Sequence, residues 1–202
     1  MAWCVFCVSG LNARISGFPT NKVGRYEGTI KNGKYEGKGV FTYFCGDRYI
    51  GDFKNGVFEG EGKYIYVGGD IYVGSFKKGK MHGKGTYYYA SSDNIYMGDF
   101  CEGVREGKGV LKYANGDVYL GEFKGGKKNG HGKIVFAKGA IYEGEFRADR
   151  RTGHGKLKMT SGDIYEGDFV DGKFEGKGTL YKADGEFITG KWEKGSCLYT
   201  KP

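Results

Sequence analysis

Three histidines are the side chains of this sequence best suited to acid–base chemistry. His82, His131 and His154 could each act as a general base, but none has a Ser or Cys at a spacing typical of a catalytic triad. All three lie in or beside Gly-x-Gly segments, where an exposed polar side chain is the simpler interpretation. The histidines therefore predict no catalytic site.

The cysteines could bind metal, but their spacing is unfavourable. Cys4 and Cys7 form a lone Cys-x-x-Cys pair, whereas Cys45, Cys101 and Cys197 are widely separated, and a structural zinc site needs four ligands. An intermolecular site, reversible acylation of the pair and packing in a terminal cap stay open. We expect no metal and no cofactor. An odd number of cysteines at unrelated spacings indicates a reducing compartment rather than a disulfide framework.

Acids and Gly-Lys-Gly segments recur along the chain without forming a catalytic pattern. The acids at one recurring position include Asp52, Asp99, Glu122 and Asp168. They indicate a solvated row on a strand face rather than an acid–base pair. A P-loop needs four residues between its first Gly and Gly-Lys-Ser/Thr, and no stretch has that spacing. We therefore expect that the protein is not an enzyme.

The elements that position these side chains are copies of one phrase. "YIGDFKNGVFEGEG" at 49 and "YVGSFKKGKMHGKG" at 72 are examples. Seven copies start at residues 26, 49, 72, 96, 119, 142 and 165, and this regular spacing indicates a repeat architecture. We divide the chain into an N-terminal cap or half-repeat at 1–25, seven repeats at 26–187, and a truncated eighth repeat with a C-terminal cap at 188–202.

Each copy has the pattern of a β-hairpin. The alternation of Tyr49, Gly51 and Phe53 is the two-residue period of a strand. Asn55-Gly56 is a strong hairpin turn because both residues tolerate positive φ. Two strands of about seven residues and two turns account for each repeat.

Glycine takes 40 of the 202 positions, and the strands place many of them beside aromatic residues. Gly28, Gly37 and Gly39 are expected on the face of Tyr26, where they leave space for a neighbouring ring. One hairpin cannot bury its rings alone, whereas stacked hairpins can. The pattern predicts an all-β fold, an elongated single-layer twisted antiparallel sheet of consecutive hairpin repeats.

The pattern Tyr-x-Gly-x-Phe followed by Gly-x-Gly-x-(Tyr/Leu) resembles the MORN (membrane occupation and recognition nexus) repeat over about residues 26 to 195. Asp149 departs from it, since Gly126 and Gly172 stand at the same loop position. The resemblance implies an array of hairpins with a groove and a binding or scaffolding role. It also implies cytoskeletal, axonemal or junctional partners, and a cytoplasmic location at the cytoskeleton, a cilium or axoneme, or the membrane-associated cortex.

The positive charge of the chain is local. The net charge is +8, and the span from 124 to 158 has ten Lys/Arg against three Asp/Glu, a net +7. A basic patch in repeats five and six consists of Lys127, Lys128, Lys133, Arg150, Arg151 and Lys156. It could bind anionic lipid headgroups or acidic protein tails, and a merely soluble basic surface stays open. No nucleic-acid-binding fold is visible, so we expect no nucleic acid.

Two further surfaces are candidate protein-binding sites. The aromatic groove consists of Tyr49, Phe53, Tyr72, Phe76, Tyr96, Phe100, Tyr119 and Phe123. The apolar stripe, on the opposite face, consists of Ile71, Val73, Ile95, Met97, Val118 and Leu120. Contiguous exposed apolar groups usually mark partner sites. We expect a partner helix or a second copy of the chain there, and internal burial of the stripe is the alternative.

Two functions fit this sequence. The first is a non-enzymatic scaffold at a cytoskeletal or membrane-associated structure, a homodimer that binds other proteins through the aromatic groove and the apolar stripe. The second is a phosphoinositide-binding module that uses the basic patch, and only this attachment should weaken as ionic strength rises. A targeting subunit for an enzyme in another chain is compatible with both.

Overall fold

The computed structural model describes residues 23–200, and within this range the chain forms β-strands and turns without a helix. The described residues divide into two compact units, 23–104 and 105–200. The N-terminal cap expected at 1–25 falls mainly outside the described residues, as do Cys4 and Cys7. The truncated eighth copy is a final hairpin, in which two short strands pair.

The strands follow one another along each unit. The first unit contains β1 (Gly24–Lys31), β2 (Lys34–Tyr43), β3 (Arg48–Lys54), β4 (Val57–Ile65), β5 (Ile71–Lys77), β6 (Lys80–Tyr89) and β7 (Asn94–Cys101). The second contains β8 (Val104–Lys112), β9 (Val118–Lys124), β10 (Lys127–Val135), β11 (Ile141–Arg147), β12 (Arg150–Lys158), β13 (Ile164–Val170), β14 (Lys173–Tyr181), β15 (Phe187–Glu193) and β16 (Ser196–Thr200). Within each unit, neighbours in sequence are antiparallel neighbours in the sheet. The all-β sheet of consecutive hairpins is thus confirmed.

The hairpin tips adopt the conformation that their sequence requires. Asn55 and Gly56 have φ values of 53° and 85°, the two positive angles of a turn that matches the twist of the flanking strands. The Gly56 N–H donates to the Tyr35 carbonyl of the preceding repeat at 2.9 Å. Asp149 has a φ of 73° and donates its N–H to the Lys128 carbonyl at 3.0 Å. This aspartate therefore takes the backbone role of the glycine it replaces.

The core on one face of each sheet consists of tyrosine rings that lie over glycines. We call this the ring face. Tyr49 is fully buried, and a Cβ built on Gly62 would lie 2.5 Å from its Oη. The Tyr49 hydroxyl donates to the Asp52 carbonyl at 2.9 Å. Each of the other six repeats has the equivalent bond.

The glycines have a more local role than the sequence suggests. Gly28 and Gly39 do face a ring, but it is the ring of Tyr26 in the same hairpin rather than that of a neighbour. The expectation for Gly37 is wrong. This residue has a φ of 66°, and a Cβ added to it would meet no atom within 4 Å, because it lies at a bulge where the register of β1 and β2 shifts.

Ring contacts join neighbouring repeats within each unit. Tyr49 stacks on Phe58 with a centroid distance of 3.7 Å, and it meets Phe53 and Phe76 edge to face at 5.1 and 5.0 Å. Phe76 belongs to the following repeat. Such pairs contribute about 0.5–1.5 kcal/mol each beyond the area that they bury. The rings therefore stabilise a hairpin and its contact with the next one together.

Candidate protein-binding surfaces

The residues of the predicted aromatic groove form the packed core of the ring face. All eight are buried, from 0% exposed at Tyr49, Tyr72, Tyr96 and Tyr119 to 5% at Phe76. A partner could reach these rings only by displacing their neighbours. The groove rings are packed beneath the surface of the ring face and are not themselves exposed. Direct binding through them stays a prediction.

Farther along the strands of the first unit, the ring face carries five partly exposed tyrosines. We call them the tyrosine ladder: Tyr43, Tyr64, Tyr66, Tyr87 and Tyr89. Their rings follow one another at centroid distances of 6.2, 4.5, 6.0 and 4.4 Å. Sequence reasoning missed this site. The signal was the second tyrosine of Gly-x-Gly-x-Tyr-x-Tyr, which the repeat pattern does not require.

Two carboxylates hold the ladder in place. Tyr64 donates to Asp47 Oδ2 at 2.9 Å, and Tyr87 donates to Asp70 Oδ2 at 2.8 Å. The other oxygen of each carboxylate accepts a backbone N–H from the next turn, at 2.8 Å in both cases. Asp47 is only 7% exposed. The phenol rings therefore rest on fixed, negatively charged supports.

The phenols of Tyr64, Tyr66 and Tyr87 in the ladder are neutral near pH 7. Burial, followed by the charges of Asp47 and Asp70, raises the pKa of Tyr66 to about 12. Burial is also the largest cause that raises the pKa values of Tyr64 and Tyr87. The surface therefore offers uncharged aromatic faces with polar hydroxyl groups.

The apolar stripe lies on the opposite face of the sheet. Val73 is 43% exposed and Leu120 is 56% exposed, while Ile71, Ile95, Met97 and Val118 are half-buried. Beside Val73, in the first unit, is an open groove of about 550 Å³. It is lined by Lys38, Gly39, Val40, Ile50, Gly51, Glu61, Gly62 and Val73. The stripe thus has accessible members in each unit.

The basic patch is divided between the two faces. Lys128 Nζ lies 5.6 Å from the Tyr119 ring centroid and donates to Tyr113 Oη at 3.1 Å. Arg151 lies 5.3 Å from the Tyr142 ring centroid and donates to the Gly172 carbonyl at 2.8 Å. Both belong to the ring face. Successive side chains of a strand point to opposite faces. This alternation separates Lys128 from Lys127 and Arg151 from Arg150.

The other four basic-patch residues lie away from the rings, and three of them form ion pairs. Lys133 pairs with Glu143 at 3.3 Å and Lys156 with Glu166 at 3.0 Å. The third pair joins Arg150 and Asp171 at 2.9 Å. The fourth residue, Lys127, is exposed.

The histidines and acids form ordinary surface contacts. His131 is exposed, and exposed His154 places Nδ1 at 3.5 Å from Asp168 Oδ1. His82 does not fit the interpretation as an exposed polar side chain, because it is half-buried and its Nδ1 is buried without a hydrogen-bond partner among the described residues. Asp52 binds Lys38 Nζ at 2.7 Å, and this hydrogen bond is the main cause that lowers the pKa of its carboxyl.

The described part of the chain offers few groups for metal or redox chemistry. Residues 23–200 contain no cluster of three or more His, Cys, Asp or Glu side chains that could hold a metal ion. Cys101 is an exposed free thiol, whereas Cys45 takes part in a disulfide bond. No helix in the described range is long and apolar enough to span a membrane.

A model of the MORN repeat matches seven consecutive segments of this chain. They are residues 26–48, 49–71, 72–94, 96–118, 119–141, 142–164 and 165–187. Their first residues are the seven starts predicted from the tyrosine spacing. A search of the curated proteins found no match.

Among solved structures, the chain is similar to the TCP domain of Drosophila melanogaster SAS-4 (dCPAP) in complex with a proline-rich motif of Ana2 (dSTIL). The identity is 16%, the match covers 89% of this chain and 97% of that chain, and the TM-score is 0.52. It is also similar to the wild-type TCP10 domain of Danio rerio CPAP in complex with a peptide of Danio rerio STIL. There the identity is 14%, the match covers 83% of this chain and 84% of that chain, and the TM-score is 0.37. At 16% identity and a TM-score of 0.52, the likeness to the SAS-4 TCP domain shows a similar fold alone.

Proposed function

We propose that this chain, which belongs to the MORN repeat family through seven consecutive repeats, is a protein-interaction scaffold without catalytic activity of its own. The observation that carries the proposal is the exposed apolar stripe, with Val73 at 43% and Leu120 at 56%. An antiparallel sheet with one packed face normally places polar side chains on the other. Apolar residues at the stripe therefore favour a protein partner.

The family and the fold both support a class of partner. We propose cytoskeletal, axonemal or junctional proteins as partners, at a cytoskeletal or membrane-associated structure. The SAS-4 TCP domain, which shares the fold at a TM-score of 0.52, is in complex with a proline-rich motif of another protein. This precedent supports peptide binding by such a sheet. We also propose a homodimer in which the stripes of two copies pack together.

A lysine substitution in the stripe tests this function. We expect Val73→Lys to abolish capture of specific partners by the tagged full chain and to reduce the dimer mass in light scattering. Val170→Lys is the matched control, because Val170 is 52% exposed and most sister repeats have Lys or Arg there. The proposal would be contradicted if both variants and the wild type captured the same partners and had the same mass in light scattering.

Anionic-membrane binding is the second candidate, and the cross-strand register favours it. Lys124 is directly opposite Lys127, and Arg147 is directly opposite Arg150. All four are exposed, and like charges in this arrangement destabilise a sheet. An anionic surface would relieve this repulsion.

Co-sedimentation with vesicles containing phosphoinositide tests the second candidate. We expect pelleting that decreases as salt rises and is lost when Lys127 and Arg150 are both changed to Glu. Lys128 and Arg151 are left unchanged because they contact core rings. Absence of pelleting by the wild type would exclude this function.

A further inference from the structure

We propose that the tyrosine ladder of the first unit binds a proline-rich segment with basic residues, in the polyproline II conformation. This inference rests on the proposed scaffold function and assigns it a site and a class of partner. The ladder is distinct from the apolar stripe, which lies on the opposite face. It is also distinct from the buried rings of the predicted groove.

The first argument is the match between two periods. Equivalent ladder positions, such as Tyr66 and Tyr89, recur once per repeat and are therefore two strands apart. Strands are spaced by about 4.8 Å, so the ladder repeats every ~9.6 Å. A polyproline II helix has three residues per turn and a rise of about 3.1 Å, which gives ~9.3 Å per turn. A segment that crosses the strands would meet an equivalent pair of rings at every turn.

Other backbone conformations do not have this match. An extended strand presents the same face about every 6.6 Å, and an α-helix has a pitch of about 5.4 Å. Neither period is close to ~9.6 Å or a half of it, so side chains would fall progressively out of step with the ring pairs. The ladder therefore selects for a three-residue period.

The second argument is the chemistry of the rings. Polyproline II segments dock on aromatic-lined grooves, at low cost in conformational entropy because the helix is preformed. The ladder rings are partly exposed, and the bonds from Tyr64 and Tyr87 to Asp47 and Asp70 hold two of them in place. The surface therefore also loses little side-chain freedom on binding.

The third argument is charge complementarity. Within residues 23–200, Asp47 and Asp70 are hydrogen-bonded to phenol and backbone donors and take part in no ion pair with Lys or Arg. Their negative charge adds to the negative faces of the tyrosine rings, and both attract cations. Basic side chains beside the prolines fit this surface, and acidic side chains do not.

The second unit lacks the pairs of tyrosine rings that form the ladder. The positions equivalent to Tyr64 and Tyr87 are occupied by Leu111, Ile134, Leu157 and Leu180, which have no hydroxyl group. Tyr113 is the one tyrosine at the other ladder position there, and it accepts a bond from the Lys128 ammonium. A basic segment would be repelled at that point, so the structure assigns the site to the first unit.

Fluorescence anisotropy with the full chain tests the inference. The probe is a labelled peptide of roughly twelve residues, enough for three repeats, with proline at every third position and arginines between. One control peptide has alanine in place of each proline, and a second has glutamate in place of each arginine. We expect each control peptide to bind at least about tenfold more weakly, a change of ~1.4 kcal/mol.

Each of the matched protein variants changes the same position of a repeat, the one occupied by Tyr66, but in a different repeat. Tyr66→Met and Tyr89→Met copy the side chain that Met159 supplies at the equivalent position, so the fold should be retained. We expect each to weaken binding about tenfold, whereas Phe136→Met in the second unit should not. Circular dichroism verifies folding of all three.

Three results would overturn the inference. The first is that the wild type does not bind the proline peptide. The second is that the wild type binds the alanine peptide as tightly as the proline peptide. The third is that Phe136→Met weakens binding as much as Tyr66→Met and Tyr89→Met do. If partner capture still depends on Val73 in that event, only the ladder assignment fails. If capture is also independent of Val73, the scaffold function fails with it.

Discussion

The substitution Gly62→Ala tests how the core is built. A Cβ at this position would lie 2.5 Å from Tyr49 Oη, 2.6 Å from Cε2 and 2.7 Å from Cζ. Ordinary carbon contacts begin near 3.4 Å, so the ring must move by about 1 Å. Tyr49 is fully buried between its own hairpin and the next, and it has no free space to enter.

The expected loss of stability can be assembled from three contributions. Overpacking in a dense core costs about 1–3 kcal/mol. The shift also weakens the bond from Tyr49 Oη to the Asp52 carbonyl, which contributes about 0.5–1.5 kcal/mol. Alanine restricts the unfolded chain and returns about 0.4–1 kcal/mol. The midpoints of these ranges add to a net destabilisation of about 2 kcal/mol.

Gly68→Ala is the control, because a Cβ there meets nothing within 4 Å and the residue lacks a positive φ. It should leave stability unchanged or raise it by up to about 1 kcal/mol. Urea denaturation of the full chain and hydrogen exchange of the β3 and β4 amides would measure both variants. Equal stability of the two variants would refute the packing of tyrosine over glycine.

Three further predictions concern stability. Tyr119→Phe removes the hydroxyl that donates to the Glu122 carbonyl at 2.9 Å, and urea denaturation should show a loss of about 0.5–1.5 kcal/mol. Burial raises the pKa of Tyr142 from 10.0 to about 12. The folded state therefore retains a proton that the unfolded state loses, and circular dichroism with phenolate absorbance should show stability falling as pH rises above 10. Arg151→Phe copies the stacked ring of Phe174 and should maintain or raise the melting temperature; a clear decrease would show that the cation is needed.

The hairpins could be predicted because they depend on local signals. Tyrosine spacing predicted the start of every repeat, and Asn55-Gly56 indicated a turn that the positive φ values of both residues confirm. The bulge at Gly37 could not be predicted in the same way. Its glycine looks identical in sequence to Gly39, and only the register between strands shows that one lies under a ring and the other does not.

The candidate surfaces were harder to predict because they depend on what neighbouring repeats supply. Repeat alignment placed Lys127 and Lys128 together, yet adjacent residues of a strand point to opposite faces, and Lys128 contacts core rings. The ladder needs an aspartate from one repeat and a tyrosine from the next, as in Asp47 and Tyr64. A pattern that describes one repeat at a time contains no information about such pairs.

The strand order within each unit has a consequence for how the chain folds. Within a unit, each strand after the first pairs with the one before it in sequence, and a bond between repeats such as Arg151 to Gly172 spans only 21 residues. Sheet proteins usually fold slowly because their pairings join distant parts of the chain. Here the loops to be closed are short, so each unit should refold faster than a β-sandwich of similar size. A newly synthesised hairpin can also dock on a finished predecessor as it leaves the ribosome, before the rest of the chain exists.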